Sequence, residues 1–275
     1  MGNKKKKEFI LPTLAAGLQL VDTHCHLDMG KYEADLAQVL ARSAAAGVGR
    51  VVTIGIDLAS SRAAVALAEQ YRGVFAAVGV HPHHVAETSA TDYSELRQLA
   101  SHPRVVAYGE IGMDGVKGYA PLDLQRQHFC RQVALAKELA LPLIVHDRET
   151  HEEVLAILRE AAPFPAGGVM HCFSGDAGLA RAVMELGFYV SIPGVVTFNN
   201  AAMLHEVVAA VPLDALLVET DGPFLAPVPR RGKRNEPAYV LFTAEKVAEI
   251  KGITLDEVAR RTTANAETLF GLAED

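Results

Sequence analysis

Residues 18–27 read LQLVDTHCHL. In a β-strand residues two apart share a face, so His24 and His26 point to one side while Cys25 points to the other. Two imidazoles then converge on one spot at the end of an apolar run. A divalent cation accounts for that arrangement, because neutral imidazole is a common ligand for Zn²⁺ and similar ions and a strand holds both rings in place. An H-x-H by itself also serves as a polar strand end or a hydrogen-bonded pair. The rest of the chain decides between these readings.

Outward from this strand, helical and strand patterns alternate. EADLAQVLARSAAAG (33–47) has helical apolar spacing and gives way to the β-branched run RVVTIGI (50–56). DLASSRAAVALAEQY (57–71), with Asp57 or Ser60 as the N-cap, precedes the strand VFAAVGV (74–80). TDYSELRQLAS (91–101) precedes VVAYGEIGMD (105–114), and PLDLQRQHFCRQVALAKELA (121–140), with Phe129, Val133, Ala136 and Ala140 on one face, precedes PLIVHDR (142–148). Helices near 149–161, 177–186 and 200–210 separate the strands GGVMHCFSG (167–175), FYVSIPG (188–194) and ALLVETDGP (215–223). Eight strands joined by helical crossovers imply a parallel sheet closed as a single-domain TIM (β/α)8 barrel spanning 18–275, behind a basic tail over 1–17. An open doubly wound sheet is the alternative, but no glycine-rich dinucleotide turn follows an early strand. YVLFTAEKVAEI, TLDEVARRT and ANAETLF read as helices closing the same domain.

Composition narrows the function. A chain of 275 residues, half of them hydrophobic, buries a large core. Three scattered cysteines, Cys25, Cys130 and Cys172, do not make a disulfide framework, which suggests a reducing compartment, the cytoplasm. The lysine run at 4–7 and the apolar stretch after it resemble a secretory signal, but that stretch carries Pro12, Gly17 and Gln19 and is shorter than a membrane span, and a cut near Ala15–Gly17 would fall at the entry to the first strand, so a solvated basic tail is the reading preferred. No stretch is long and apolar enough to span a bilayer. The net charge of −7 argues against an extended electrostatic grip on nucleic acid, leaving the local basic patch Arg230, Arg231, Lys233 and Arg234.

The candidate ligands collect at C-terminal strand ends. His24 and His26 end the first strand, Glu110 the fourth, His146 the fifth, His171 the sixth and Asp221 the eighth. In a barrel those ends ring one mouth, where such folds place their active sites. Each residue alone has a harmless explanation, but six on one rim point to a metal centre. Four imidazoles and two carboxylates exceed one tetrahedral site, so two divalent ions (Zn, Mn, Mg, Fe or similar) are expected, with Glu110 as the bridge. Asp221 is a ligand, a base that orients the attacking water, or both.

These residues sit in DTHCHLD, GVHPH, GEIGMD, PLIVHDRET, HCFSG and ETDGPFLAPVPRRGKRNEP, an ordered set that resembles the TatD family of metal-dependent hydrolases from about Val21 to the C-terminus. The resemblance implies a TIM-barrel deoxyribonuclease with 3′-to-5′ exonuclease activity, DNA as substrate with RNA as the other nucleic-acid candidate, no membrane and no obligate protein partner. It assigns His24, His26, Glu110, His146, His171 and Asp221 to the metal positions, with Glu110 and Asp221 catalytic. One departure is visible. The family often carries an aromatic after GEIGLD, whereas here Gly115 and Val116 follow Asp114, which puts a base-stacking contact from this loop in doubt.

Other residues have plainer readings beside the functional one. His81 and His83 are expected to contact substrate or support the ligands, as against belonging to a polar loop. His84 is expected at the surface. Arg148, on the face of His146, either clamps a phosphate or holds a neighbouring carboxylate. Arg231 and Arg234, in a proline-limited loop after Asp221, are expected beside the metals as phosphate contacts, as against a solvated charged loop. Cys25 and Cys172 are expected to face the core. His102, His128, His151 and His205 are expected to be structural or exposed, and Ser174 has no His–Asp relay that would make it a nucleophile. Two further functions compete with nuclease action: a barrel hydrolase cleaving an ester or amide in a small molecule or aminoacyl-tRNA, and a barrel that binds metal or a partner without turnover.

Overall fold

The computed structural model describes residues 9–272, so the lysine run at 4–7 lies outside the described residues. Eight parallel strands pair in chain order. They are β1 (Leu20–Cys25), β2 (Val48–Ile54), β3 (Val74–Val78), β4 (Val105–Asp114), β5 (Leu143–Arg148), β6 (Gly168–Met170), β7 (Phe188–Ile192) and β8 (Leu216–Val218). Between them run α1 (Leu36–Ala45), α2 (Leu58–Gln70), α3 (Ala90–Leu99), α4 (Leu122–Glu138), α5 (His151–Ala161), α6 (Ala177–Glu185) and α7 (Ala202–Ala210). The chain ends in α8 (Val240–Lys251) and α9 (Leu255–Phe270). The single-domain barrel read from the alternation is the fold observed.

The barrel closes where β1 meets the segment after β8. Thr23 Oγ1 donates to Val218 O at 3.0 Å, Asp221 N donates to His24 O at 2.9 Å, and His26 N donates to Gly222 O at 2.7 Å. This closure sets Asp221 beside His24 and His26 although nearly 200 residues separate them in sequence. Buried Asp22 fastens the same seam, accepting from Thr220 N at 2.8 Å and from Thr220 Oγ1 at 2.5 Å. Burial pushes the Asp22 carboxyl up to about 8.

Below the mouth, Val21, Val52, Phe75, Ile144, Val169 and Leu217 form an apolar cluster with Ala266, Leu269 and Phe270 of α9, which caps the barrel at the end opposite the ligands. Here TLDEVARRT and ANAETLF form one continuous helix rather than two, because no glycine or proline interrupts them and Val258, Thr262, Ala266 and Leu269 keep a single buried face. Asp57 is the N-cap of α2, accepting from Ser60 N at 2.7 Å. On α4 the buried face holds Phe129, Val133 and Ala136 but not Ala140, since the helix ends at Glu138 and Ala140 turns to φ 54° on the surface. Residues 9–17 run along the outside of the barrel, with Leu11 and Leu14 against the core and Phe9 edge-on to Tyr239 at 5.9 Å.

Candidate metal centre

Five of the six expected ligands, His26, Glu110, His146, His171 and Asp221, line a cavity of about 620 Å³ at the barrel mouth, a size ordinary for ligand pockets, and the sixth, His24, is fully buried against Glu110. Glu110 stands at their centre, 2 % exposed. Its Oε2 lies 3.3 Å from His24 Nε2 and 3.9 Å from His26 Nε2, while its Oε1 lies 2.8 Å from His146 Nδ1 and 2.9 Å from His171 Nε2. One carboxylate therefore presents a separate oxygen to each of two imidazole pairs. Asp221 Oδ1 completes the first set, 3.4 Å from His26 Nε2 and 3.9 Å from His24 Nε2.

The hydrogen bonds on the far side of each ring indicate what these groups are ready to bind. His26 Nδ1 faces the Ile54 carbonyl at 3.3 Å, and His171 Nδ1 faces Glu219 Oε1 at 3.1 Å. Once such a ring gives up its second proton it carries one N–H, and donation from Nδ1 then leaves the Nε2 lone pair directed at the site. His24 is completely buried and neither of its nitrogens has a hydrogen-bond partner. Burial, reinforced by neighbouring His171, lowers its pKa and keeps the ring neutral. An orphaned neutral imidazole facing two carboxylates is a costly arrangement for a buried polar group unless a cation joins them. The donor set of imidazole nitrogen and carboxylate oxygen fits borderline divalent ions.

Electrostatics point the same way. At His171 burial opposes charge, but Glu110 and Glu219 outweigh it and hold the imidazole pKa well above its usual value. At Glu110 burial favours the neutral acid, but the charge of His171, with hydrogen bonds from His146 and His171, holds the carboxyl well below its usual range. Protonated imidazole thus supplies the positive charge that the carboxylates demand, and a metal ion is its natural substitute.

His81 also approaches the centre, with Nε2 3.4 Å from Glu110 Oε1. Its Nδ1 accepts the His83 N–H at 3.1 Å, and burial lowers its pKa to about 3. The neutral ring then carries its proton on Nε2 and acts as a donor toward the site, a role distinct from ligation. His83 Nε2 lies 2.8 Å from Asp114 Oδ2, which is also 3.4 Å from His146 Nε2.

Three carboxylates around the site were not singled out from the sequence. Asp114, 2 % exposed, ties His83 to His146 and accepts from the N–H groups of Val116 and Lys117 at 2.8 and 2.9 Å. Glu219, fully buried, accepts from Cys172 N at 2.8 Å and Ser191 Oγ at 2.6 Å besides facing His171. Asp22 fastens the seam. The available signal, for Asp22 alone, was alternation: it precedes the expected ligand His24 by two positions on the same face of β1.

The rim departs further from expectation. None of Arg230, Arg231, Lys233 and Arg234 lines the cavity; Phe224 and Leu225 occupy that wall. Arg234 grips Asp35 through two bonds of 2.6 and 2.8 Å and donates to Lys31 O at 2.7 Å, so its guanidinium is engaged in holding the loop to the segment before α1. Arg231 lies over the Phe198 ring at 4.3 Å, and Arg230 over Phe9 at 4.2 Å. Lys117 and Arg148 are the basic residues on the cavity wall. Cys172, expected in the core, borders the cavity instead, because the backbone turns to φ 44° after β6 and breaks the strand alternation. His84, expected at the surface, forms part of the same wall. Cys25 is buried, its Sγ 3.4 Å from Gly222 O. His102, His128, His151 and His205 face Glu69, Tyr93, Asp147 and the Val196 carbonyl, all outside the centre, and Ser174 Oγ donates to Asp147 O at 3.3 Å rather than to an imidazole. The loop after Asp114 lacks an adjacent aromatic, yet it supplies Tyr119, whose ring lies 4.7 Å from that of His83.

Comparison with known proteins supplies the wider context. Residues 21–271 match the family described as TatD related DNase. The uncharacterized metal-dependent hydrolase YabD of Bacillus subtilis is 45 % identical over 251 residues, covering 91 % of this chain and 98 % of YabD. The 3′-5′ ssDNA/RNA exonuclease TatD of Erwinia amylovora is 35 % identical over 259 residues, covering 92 % of this chain and all of that protein. Among solved structures, the TatD homologue YJJV of Escherichia coli superposes with a TM-score of 0.88 at 32 % identity, covering 92 % of this chain and 98 % of YJJV. With this sequence match along most of its length and a barrel mouth lined by clustered His, Glu and Asp, the chain belongs to the TatD family of metal-dependent hydrolases.

Proposed function

We propose that this protein is a two-metal phosphodiesterase that removes nucleotides from the 3′ end of single-stranded DNA, with RNA as a second substrate. The observation that carries the reading is Glu110, whose two oxygens face two different imidazole pairs. His24, His26, Asp221 and Glu110 would hold one cation, and Glu110, His146 and His171 the other. Two such cations, when bound, supply positive charge to the phosphoryl group and the leaving oxygen and lower the pKa of the attacking water.

The chain's own residues do the rest. Asp221, at the mouth beside His26 and His24, accepts a proton from the attacking water in addition to its place among the ligands. His81 presents its Nε2–H toward the site, where it donates to a phosphoryl oxygen. Asp114 and Glu219 fix the rings of His146 and His171, as outer carboxylates do for metal-binding imidazoles. His83, held by Asp114, and the cations of Arg148 and Lys117 on the cavity wall contact flanking phosphates. The named relative acting on ssDNA and RNA supports the substrate class. A cytoplasmic location agrees with three free cysteines, and no helix among the described residues is long and apolar enough to cross a membrane.

A time course on oligonucleotides labelled at the 5′ end, after metal removal and defined metal addition, tests reaction, substrate and polarity together. The expected pattern is a metal-dependent ladder shortening from the 3′ end of single strands. Cleavage of an ester or of aminoacyl-tRNA with no action on oligonucleotides would replace the reading with the competing hydrolase, and no turnover of any of these substrates would leave a binding protein.

A further inference from the structure

The chain has ten phenylalanines, seven tyrosines and no tryptophan. Among the described residues only two of these rings are exposed, Tyr119 at 65 % and Phe224 at 42 %. Both lie against histidines of the candidate centre, on different sides of the mouth. Tyr119 sits 4.7 Å from His83, beyond β3, and Phe224 sits 6.1 Å from His26, beyond β1. One exposed ring alone is ordinary on a protein surface, but two beside the same candidate centre offer flat apolar faces to a ligand that enters it.

Neither ring is on a loose segment. Phe224 follows a turn in which its N–H donates to Asp221 O at 2.9 Å, while the fully buried Asn235 donates to its carbonyl at 2.7 Å and to Thr220 O at 2.8 Å. Lys31 Nζ lies 5.0 Å from the Phe224 ring centroid, bringing a cation to the same edge. The loop bearing Tyr119 is anchored at its start by Asp114 Oδ1, which accepts from Val116 N and Lys117 N. Preorganised rings lose little freedom on binding, which favours affinity.

Resting on the nuclease reading above, we propose that Tyr119 and Phe224 are stacking platforms for unpaired bases on either side of the scissile phosphate, so that the enzyme grips a single strand by base faces as well as by phosphates. Base–aromatic stacking tolerates any sequence, because every base has a π-face. A paired end offers no such faces, since its bases stack on one another. Glu110 and His171 are 2 % and 5 % exposed, and a phosphate reaches that floor more readily from an unpaired strand.

The test compares kcat/KM of the metal-loaded full chain on two single-stranded oligonucleotides, one with ordinary bases throughout and one with abasic sites over its last nucleotides. The parent is expected to prefer the base-bearing end. Tyr119→Ala and Phe224→Ala should each reduce that preference by about 5- to 150-fold, toward parity, through KM more than kcat. Tyr119→Phe and Phe224→Tyr, which keep the rings, should restore it. A parent with no preference, or alanine variants with the parent's preference, would overturn the stacking role while leaving the nuclease reading intact. A parent that cleaves neither oligonucleotide with any divalent metal would overturn both.

Discussion

The floor and the rim of the barrel mouth are built from different kinds of chain. On the floor, Glu110 and His146 lie within strands, while His24 and His26 fall at the end of β1 and His171 immediately after β6; strand pairing and burial fix their directions. On the rim, the segment 227–237 follows a path set by contacts made elsewhere: Arg234 with Asp35, Arg231 with Phe198 and Arg230 with Phe9. Side chains at strand ends inherit their placement from the fold, whereas side chains in a loop take theirs from whichever partner they find. The geometry of the floor is therefore set by the fold, and that of the rim by its local contacts.

Removing metal is the most severe test of that division. Chelation should abolish hydrolysis and a divalent ion should restore it, followed by assay alongside elemental analysis; full activity in a verified metal-free sample would leave the floor without its role. Next in size, Glu110→Ala should lower kcat/KM and metal affinity by more than the about 10–100-fold typical of an outer carboxylate, because Glu110 faces both imidazole pairs, whereas His83→Ala should stay within that range. Equal losses in folded variants would remove the distinction between bridge and support. Asp114→Asn and Glu219→Gln should each weaken metal affinity by about 10–100-fold, read by competition with a chelator, while leaving thermal unfolding cooperative. Unchanged affinity would show that these carboxylates serve packing alone.

The rim should respond more weakly and in a different currency. Arg148→Ala should reduce the slope of log affinity for single-stranded DNA against log salt by about 0.7, the loss of one phosphate contact, with metal content unchanged. Arg231→Ala and Arg234→Ala should keep the parent slope, and Arg234→Ala should change stability little, because its partner Asp35 is partly exposed to solvent. A flattened slope in Arg234→Ala would mean that Asp35 releases the guanidinium when nucleic acid binds, and would return the basic loop to the substrate path.

Legibility in the sequence followed the same line. Strand periodicity of two and helical spacing of about 3.6 identified the eight β/α units, and the barrel's rule that strand ends share one mouth brought six distant residues together before any contact was known. What periodicity does not encode was missed. Cys172 turns into the cavity through a positive φ just past β6, where alternation no longer applies. Asp114 and Glu219 were overlooked because a carboxylate that supports an imidazole has no distinctive spacing of its own, only a buried position on the ligand face. Arg234 was misplaced because its partner Asp35 lies 199 positions away and nothing in either local sequence marks the pairing. Tyr119 escaped notice because it stands five residues after Asp114 instead of beside it.

The division between floor and rim rests on Glu110 joining two cation sites. Metal stoichiometry measures this most directly, by native mass spectrometry of the folded chain titrated with Zn²⁺ or Mn²⁺, in the parent and in Glu110→Ala. Two ions per parent chain, with occupancy of both reduced in the variant, is the predicted result. A parent that saturates at a single ion, or a variant that still binds two as tightly as the parent, would contradict it.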